Sequence, residues 1–350
     1  MWWRSSAGRR TKDGGSALAD APVQAFEGSD ELLLEQIGRL SERNRATPSG
    51  EQEQLLLALR NQLGIRLLEA EAADPGYPEP DYAALPDGPP LAEIAPTALT
   101  PGVLRAAILR HGCVLVRGLV DRKRAQAFAK RIDRSFEEAT RYEADKSFND
   151  RFYLPFNPDP RRGQRLPREW IKSGGGVLAV DSPLLSFEMG ELFRSARLPE
   201  LVHGYLGEAP LVTADKTTLR KAEPTVSGAW HQDGKFMGEV KALNLWLALS
   251  HCGDDAPGLD LVPRRLEAHV RTQTDEAMMA NQVSQRIAEE TAGETPILRP
   301  IFEPGDALLF DELFLHKTAS EPGMRKPRYA VENWFFGASG FPANYVPLAL

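Results

Sequence analysis

The stretch AWHQDGKFMG, Ala229 to Gly238, sets a histidine two positions before an aspartate, directly after a tryptophan. In an extended strand, residues two apart point to the same side. The His231 imidazole and the Asp233 carboxylate can therefore meet at one point in space. A third ligand from another strand would complete a two-histidine, one-carboxylate metal site. Such a site leaves three positions of an octahedral metal open, the arrangement that O2 chemistry at non-haem Fe(II) needs.

Only six histidines exist, so the search for the third ligand is short. His111 ends a helical stretch, where the negative end of the helix dipole favours it. His203 lies within the helical stretch LPELVHGYLG, and His251 and His269 fall in or beside loops. A His-Cys pair at 251 and 252 could suggest zinc, but no second Cys/His pair accompanies it. All four read as packing or surface residues. His316 stands apart: it closes EPGDALLFDELFLH, a Pro-Gly-Asp turn followed by an apolar strand. Twelve residues on, Arg328 opens RYAVENWFF, a further strand. A guanidinium at the mouth of a barrel suits bidentate pairing with a dicarboxylate such as 2-oxoglutarate. Thr318 shares the strand face of His316 and could give a hydroxyl to the same carboxylate.

The elements that must position these residues are mostly short strands. LVTADKTTLRKA, KALNLWLALS, LDLVP, ILRPIF, DALLF and RYAVENWFF, separated by Gly/Pro turns, predict an all-β sandwich or barrel. Before them come helices over 29–46 and 49–70, the second opened by Ser49 and Gln52 and lined by Leu56, Leu59 and Leu63. The span from Asp74 to Pro101 holds 8 of the 27 prolines and reads as an extended linker rather than a packed element. Thr100-Pro101 then starts a helix ending at Gly112, CVLVRGLV reads as a buried strand, and Asp121 caps a helix carrying Phe128, Ile132 and Phe136. Residues 140–180 lack any period and read equally as a lid over a pocket, from Trp170, Tyr153 and several arginines, or as a meandering surface loop. The division expected is a disordered basic tail over 1–28, a helical extension over 29–72, a Pro-rich linker over 73–99 and one large domain over 100–345.

Strand parity adds second-rank candidates. Leu243, Leu245, Leu247 and Leu249 share one face, which belongs in a core, so Asn244 and Trp246 on the other face can look into a cavity. Lys216, Thr218 and Arg220 share a face and are candidates for the cosubstrate side, with solvent-facing polar residues an equal reading for Lys216 and Arg220. Trp230 and Phe236 flank the His-x-Asp motif and are candidate walls of a substrate pocket, with Trp170 from the loop. Ordinary core packing is an equal reading for Trp230 and Phe236.

WHQD, NLWLALSHCGDDAPGLDLVP, EPGDALLFDELFLHKTA and RYAV, in that order, resemble the phytanoyl-CoA dioxygenase family of Fe(II)- and 2-oxoglutarate-dependent oxygenases. The resemblance spans about residues 100–336 and includes ILRHGCVLVRGLV and YLGEAPLVTADKTTLRKAEP. It implies a mainly β fold with α-helical additions: a double-stranded β-helix (jelly-roll, cupin-like) core flanked by helices. It implies iron held by His231, Asp233 and His316, and 2-oxoglutarate held through its distal carboxylate by Arg328 with help from Thr318. Related halogenases replace the carboxylate ligand with a small residue so that chloride can bind, so Asp233 favours hydroxylation of a C–H bond, with O2 consumed and succinate and CO2 released. Where members of the family often continue LDLVP with Gly-Ser-His, this chain has Arg264 and Arg265 after Pro263. Arg325 also lies near Arg328, but RYAV matches the family pattern at Arg328.

Composition narrows the partners. Lys and Arg number 42 against 49 Asp and Glu, a net charge of −7 that argues against nucleic acid or an anionic membrane. No apolar run approaches the roughly 18 residues of a membrane span. The N-terminal arginines lack the apolar run of a signal peptide, and two distant cysteines need no disulfide, so a reducing cytoplasmic setting is expected. The aromatics and arginines of 140–180 suit a medium-sized, anionic small-molecule substrate. Oligomeric state has no signature in the sequence. Two rival readings use the same residues: a non-catalytic jelly-roll protein that binds metal or a small acid, and a cupin metalloenzyme without 2-oxoglutarate, which leaves Arg328 without a task.

Overall fold

The computed structural model describes residues 26–70, 75–86, 88, 90–148, 150–159, 165–225, 227–238 and 240–350. Most of the expected basic tail, residues 1–25, lies outside the described residues. Helices α1 (Asp30–Ala46) and α2 (Gly50–Glu69) come first, opened by Ser29 and Ser49, whose hydroxyls accept the N–H of Leu32 and Gln52. After β1 (Glu93–Ile94), α3 (Pro101–His111) starts under a Thr100 cap and turns through Gly112 into β2 (Cys113–Val116). Gly112 has φ 77°, and a Cβ there would stand 2.8 Å from the Arg264 carbonyl oxygen, so the tight turn requires glycine. Next are α4 (Arg122–Ala144), α5 (Arg168–Ser173), β3 (Gly176–Leu178), α6 (Pro183–Ser195) and α7 (Leu198–Leu206). The rest is largely strands: β4 (Leu211–Thr213), β5 (Thr218–Ala222), a single helical turn α8 (Gly234–Met237), β6 (Ala242–Ala248) and β7 (Gly258–Leu261). Helix α9 (Gln285–Ala292), β8 (Ala307–Phe310), β9 (His316–Ala319), β10 (Arg328–Phe336) and β11 (Pro347–Ala349) complete the chain.

The large sheet runs β1-β2-β8-β6-β10-β4-β11, with β5 also on β10 and β3 on β5. Strand β10 lies against β6 from Ala330 to Phe336. Its other edge is covered at one end by β5 and at the other by β4, with the turn 214–217 between them. The small sheet is β7 with β9. It is widened by the bridges His231–His316 and Leu261–Leu298. Two facing sheets built this way give the expected mainly β core with helical additions. Among the described residues the strands do not close into a barrel.

Alternation sorts the side chains. Leu243, Leu245, Leu247, Val331 and Phe335 join the core beneath the helices, with Ile108, Phe128, Phe193 and Val202. Trp246, Ala330, Trp334 and Phe336 face the other way, into the space between the sheets, with Phe310, Phe314, Leu259 and Phe302. Helices α1 and α2 pack Leu33, Ile37, Leu56, Leu59 and Leu63 onto Leu211 and Ala349 at the sheet edge.

Two expectations are corrected. The Pro-rich span is packed where it is described: β1 pairs in parallel with β2, Leu85, Leu91 and Ala92 are buried, and Tyr77 sits 5.1 Å from the Tyr205 ring. Frequent proline prevents a long helix there but leaves the apolar side chains free to dock. The aperiodic stretch 140–180 holds the end of α4, then α5 and β3. Its polar groups staple it down: Arg168 pairs both Nε and Nη2 with Asp181 at 2.7 and 2.8 Å, Arg151 pairs with Glu53, and Tyr153 is buried beside Tyr142. Trp170 on α5 remains exposed.

Candidate metal centre

His231 and His316 face each other across a two-residue ladder. Each N–H donates to the other's carbonyl oxygen, at 3.0 Å from His231 and 3.2 Å from His316. Their rings stand 4.5 Å apart. Asp233 does not continue the strand. It takes helical φ −65° and ψ −32° and begins α8, which corrects the expectation of a straight strand through the motif. The carboxylate nevertheless reaches both imidazoles: Oδ1 is 3.6 Å from His231 Nε2 and Oδ2 is 3.8 Å from His316 Nε2. One ligand atom from each of the three residues falls within 4.8 Å of the others.

Backbone carbonyls set the imidazole tautomers. His231 Nδ1 is 2.9 Å from the Ala229 oxygen and His316 Nδ1 is 3.2 Å from the Phe314 oxygen. Each carbonyl takes the Nδ1 proton, so each Nε2 lone pair is free at the shared point. Burial, with His231 alongside, pushes the His316 imidazole down to about 4, so it is neutral at physiological pH. Asn244 Nδ2 reaches Asp233 Oδ2 at 3.5 Å. The residue between the ligands, Gln232, is buried and holds the turn: its amide donates to the Leu313 carbonyl at 2.6 Å and accepts the Val270 N–H at 2.7 Å. Two imidazole nitrogens beside one carboxylate form a donor set that suits a divalent transition metal.

The opposite end of the cavity is cationic. Arg328, 1% exposed, begins β10, donates from Nη1 to the Gly258 carbonyl at 3.3 Å and lies over the Trp246 ring at 5.2 Å. Its Nε and the Trp246 indole Nε1 are buried without any partner, and so is Asn244 Oδ1. A buried polar atom left unpaired costs about 1–3 kcal/mol, so three around one space mark a place shaped for a polar guest. Glu332, four residues along the same strand face, stands 3.8 Å from Arg328 Nη2. It pairs bidentately with Arg220, at 3.0 and 2.6 Å. Burial raises the Glu332 carboxyl, but Arg220 and Arg328 outweigh it and leave it below its ordinary value. Glu332 and Gln232 were missed by sequence reasoning. The two-residue period from Arg328 would have found Glu332; nothing local marks Gln232.

The remaining candidates divide. Arg325 is exposed and pairs with Asp255, whereas Arg328 is buried at the cavity. Thr318 sits on β9, two residues from His316. Thr218 on β5 is buried, and its hydroxyl donates to the Lys216 carbonyl at 3.1 Å, so it braces a turn instead of facing an anion. Lys216 is not on β5, because the chain breaks into a turn at 214–217. Its ammonium lies 4.4 Å from the Trp170 ring and 4.5 Å from the Phe236 ring. Burial lowers its pKa, and Asp233 acts against that. Trp230 is corrected: it points away from the metal point, packs with Val283 and Ile287, and donates its indole N–H to Gln285 at 2.7 Å. As the neighbour of His231 in an extended segment, it must face the other side.

Residues 108–325 match the profile of the phytanoyl-CoA dioxygenase (PhyH) family, and the chain belongs to that family. Its class is therefore that of the Fe(II)- and 2-oxoglutarate-dependent oxygenases. No curated protein sequence matches it. Among solved structures, it is similar to EctD from S. alaskensis with 2-oxoglutarate and 5-hydroxyectoine (15% identity, 77% of this chain, 86% of that one, TM-score 0.46). It is also similar to the epimerase SnoN in complex with Fe3+, alpha ketoglutarate and nogalamycin RO (20% identity, 71% and 88%, TM-score 0.43). A third is the carbocyclase SnoK from nogalamycin biosynthesis (14% identity, 69% and 85%, TM-score 0.44). Among the described residues no helix is long and apolar enough to cross a membrane.

Proposed function

We propose that this protein hydroxylates a C–H bond of a small molecule, with His231, Asp233 and His316 holding Fe(II) and Arg328 holding the distal carboxylate of 2-oxoglutarate. One observation carries the reading. Three metal-ligand atoms converge within 4.8 Å, and β10 buries, on its face between the two sheets, an arginine with an unpartnered Nε. Iron bound there would supply the O2-activating redox chemistry that consumes 2-oxoglutarate and yields succinate and CO2.

The chain's own residues orient and protect. The Ala229 and Phe314 carbonyls aim the two imidazoles. Asn244 steadies Asp233. Arg328 offers its unpartnered Nε to a carboxylate, and Trp246 Nε1 is a second donor beside it, so we place Trp246 with the cosubstrate instead of the substrate pocket where the sequence put it. Thr318 remains a candidate donor to the same group. Phe310 and Phe314, 4.8 and 5.9 Å from the His316 ring, keep water from that side. Asp233 fills the place that a halide would need, which supports hydroxylation. The acidic surface and the two buried, unpaired cysteines suit a cytoplasmic enzyme acting on small molecules without nucleic acid.

The test is an anaerobic titration of the full chain with Fe(II) and 2-oxoglutarate, followed by admission of O2. A weak visible charge-transfer band and succinate release are expected. A metal-binding protein without this activity gives neither, and a 2-oxoglutarate-independent metalloenzyme gives metal affinity with no band.

A further inference from the structure

Lys216 has a setting that the metal and cosubstrate ends of the cavity do not use. Its ammonium is caged by rings from three separate parts of the chain: Trp170 of α5 at 4.4 Å, Phe236 of α8 at 4.5 Å and Tyr345, just before β11, at 5.9 Å. Aromatic faces attract a cation but offer no directed acceptor for its three N–H donors. Among the described residues the Lys216 ammonium has no hydrogen bond and no ion pair within 4.0 Å. The nearest candidates are committed elsewhere. Asp215 accepts from the Val346 N–H at 2.7 Å and from the Thr213 hydroxyl at 3.0 Å, while Asp233 faces the two histidines. The half-buried ammonium must therefore take its hydrogen bonds from water or from something bound beside it.

The position says what that something is. Phe236 lies one turn beyond Asp233, its N–H donating to the Asp233 carbonyl at 3.2 Å, so the cage opens directly beside the metal ligands. Lys216 therefore stands at the metal end, apart from the guanidinium that suits the cosubstrate's distal carboxylate. This corrects its expected place on the cosubstrate side. Trp170 is 52% exposed, so the cage is also the edge between cavity and solvent.

We infer that Lys216 and its cage of Trp170, Phe236 and Tyr345 bind the substrate, and that the substrate is a small amphiphilic anion: one carboxylate or phosphate on an aromatic or aliphatic body. The anion completes the ammonium's hydrogen bonds, the rings cover the body, and the C–H bonds next to the anion lie against the metal ligands. This assignment rests on the proposed oxygenase reading and names its substrate class.

The experiment uses the full chain loaded anaerobically with Fe(II) and 2-oxoglutarate, so that Arg328 is already engaged. Phenylacetate, phenyl phosphate and neutral phenylacetamide are titrated, with tryptophan fluorescence as the readout. At least one anion should bind about tenfold or more tightly than the amide, a difference of one decade in Kd. Which anion is preferred separates a carboxylate from a phosphate substrate. Lys216→Met should reduce that preference to about threefold or less, Lys216→Arg should restore part of it, and both should keep 2-oxoglutarate affinity within about twofold. No preference for either anion, including no binding at all, overturns the inference. So does a preference that survives Lys216→Met, or a loss of 2-oxoglutarate affinity in that variant, which would return Lys216 to the cosubstrate. If the wild type binds no 2-oxoglutarate, the oxygenase reading fails separately, and the same titration without cosubstrate still scores Lys216.

Discussion

Strands β6 and β10 present two faces that differ in almost everything but their backbone. Outward, Leu243, Leu245, Leu247, Val331 and Phe335 are wholly buried under the helices. Inward, the same strands bury Asn244 Oδ1, Trp246 Nε1 and Arg328 Nε with no partners. The outer face stabilises, at about 1.5–3 kcal/mol for a large apolar side chain taken from water. The inner face costs, because each unpaired polar atom is a loss of about 1–3 kcal/mol. One residue separates the two, so packing on one side holds in place a binding surface that would not persist by itself. Stability and chemistry should accordingly respond to different substitutions within a single strand.

The largest effect is expected at the metal point. Asp233→Ala removes the only carboxylate of the three ligands and should cut succinate release by more than ~100-fold, beyond the 10–100-fold typical of losing an outer partner of a ligand. Retained turnover would overturn the ligand assignment. On the outer face, Leu245→Ala should destabilise by about 2–5 kcal/mol in denaturant titration. The folded fraction should still bind 2-oxoglutarate normally; a matching loss of affinity would mean that the faces are not separable. Returning inward, Arg328→Met keeps bulk and removes the guanidinium. The Kd for 2-oxoglutarate should rise on the order of 100-fold by calorimetry, because a charge-assisted pair is worth about 1.5–3 kcal/mol. An unchanged Kd there would leave the cationic end of the cavity without its proposed ligand.

The sequence made one half of this contrast readable and concealed part of the other. His231, Asp233, His316 and Arg328 could be found because spacing and strand context survive in one dimension. The leucine alternation of β6 likewise gave both faces in advance. Lys216 was misplaced for a definite reason: the break at 214–217 interrupts what parity treats as one strand, and neither flanking residues nor composition announce it. Trp230 could have been read correctly, since a neighbour of His231 in an extended segment must face away. The pairing of β1 with β2 was beyond reach, because a two-residue strand in a proline-rich span is made by a distant partner. Asp233 as a helical start shows a subtler limit: its carboxylate meets the His231 imidazole as expected, although the local conformation is not the strand that the expectation assumed.

Histidine itself offers the finest distinction between cavity and rim. His316, inside, is held at about 4 by burial and by His231. His251, beyond the end of β6, lies between Glu303 at 2.9 Å and Asp254 at 2.8 Å. Its partial burial lowers the pKa, but the two carboxylates outweigh that and raise it above the ordinary 6.5. A group raised on folding binds its proton more tightly in the native state. Its contribution is thus fully present below the unfolded value and disappears as pH climbs through the folded one. The side chain is 39% exposed, so solvent screening holds the effect below about 1 kcal/mol. His251→Gln should therefore lower the melting temperature slightly at about pH 5.5 and leave it unchanged at about pH 8.5. The reverse order, with the deficit growing as pH rises, would mean that His251 acts through its neutral form, as the cavity histidines are proposed to do, and would erase the difference between the rim and the cavity.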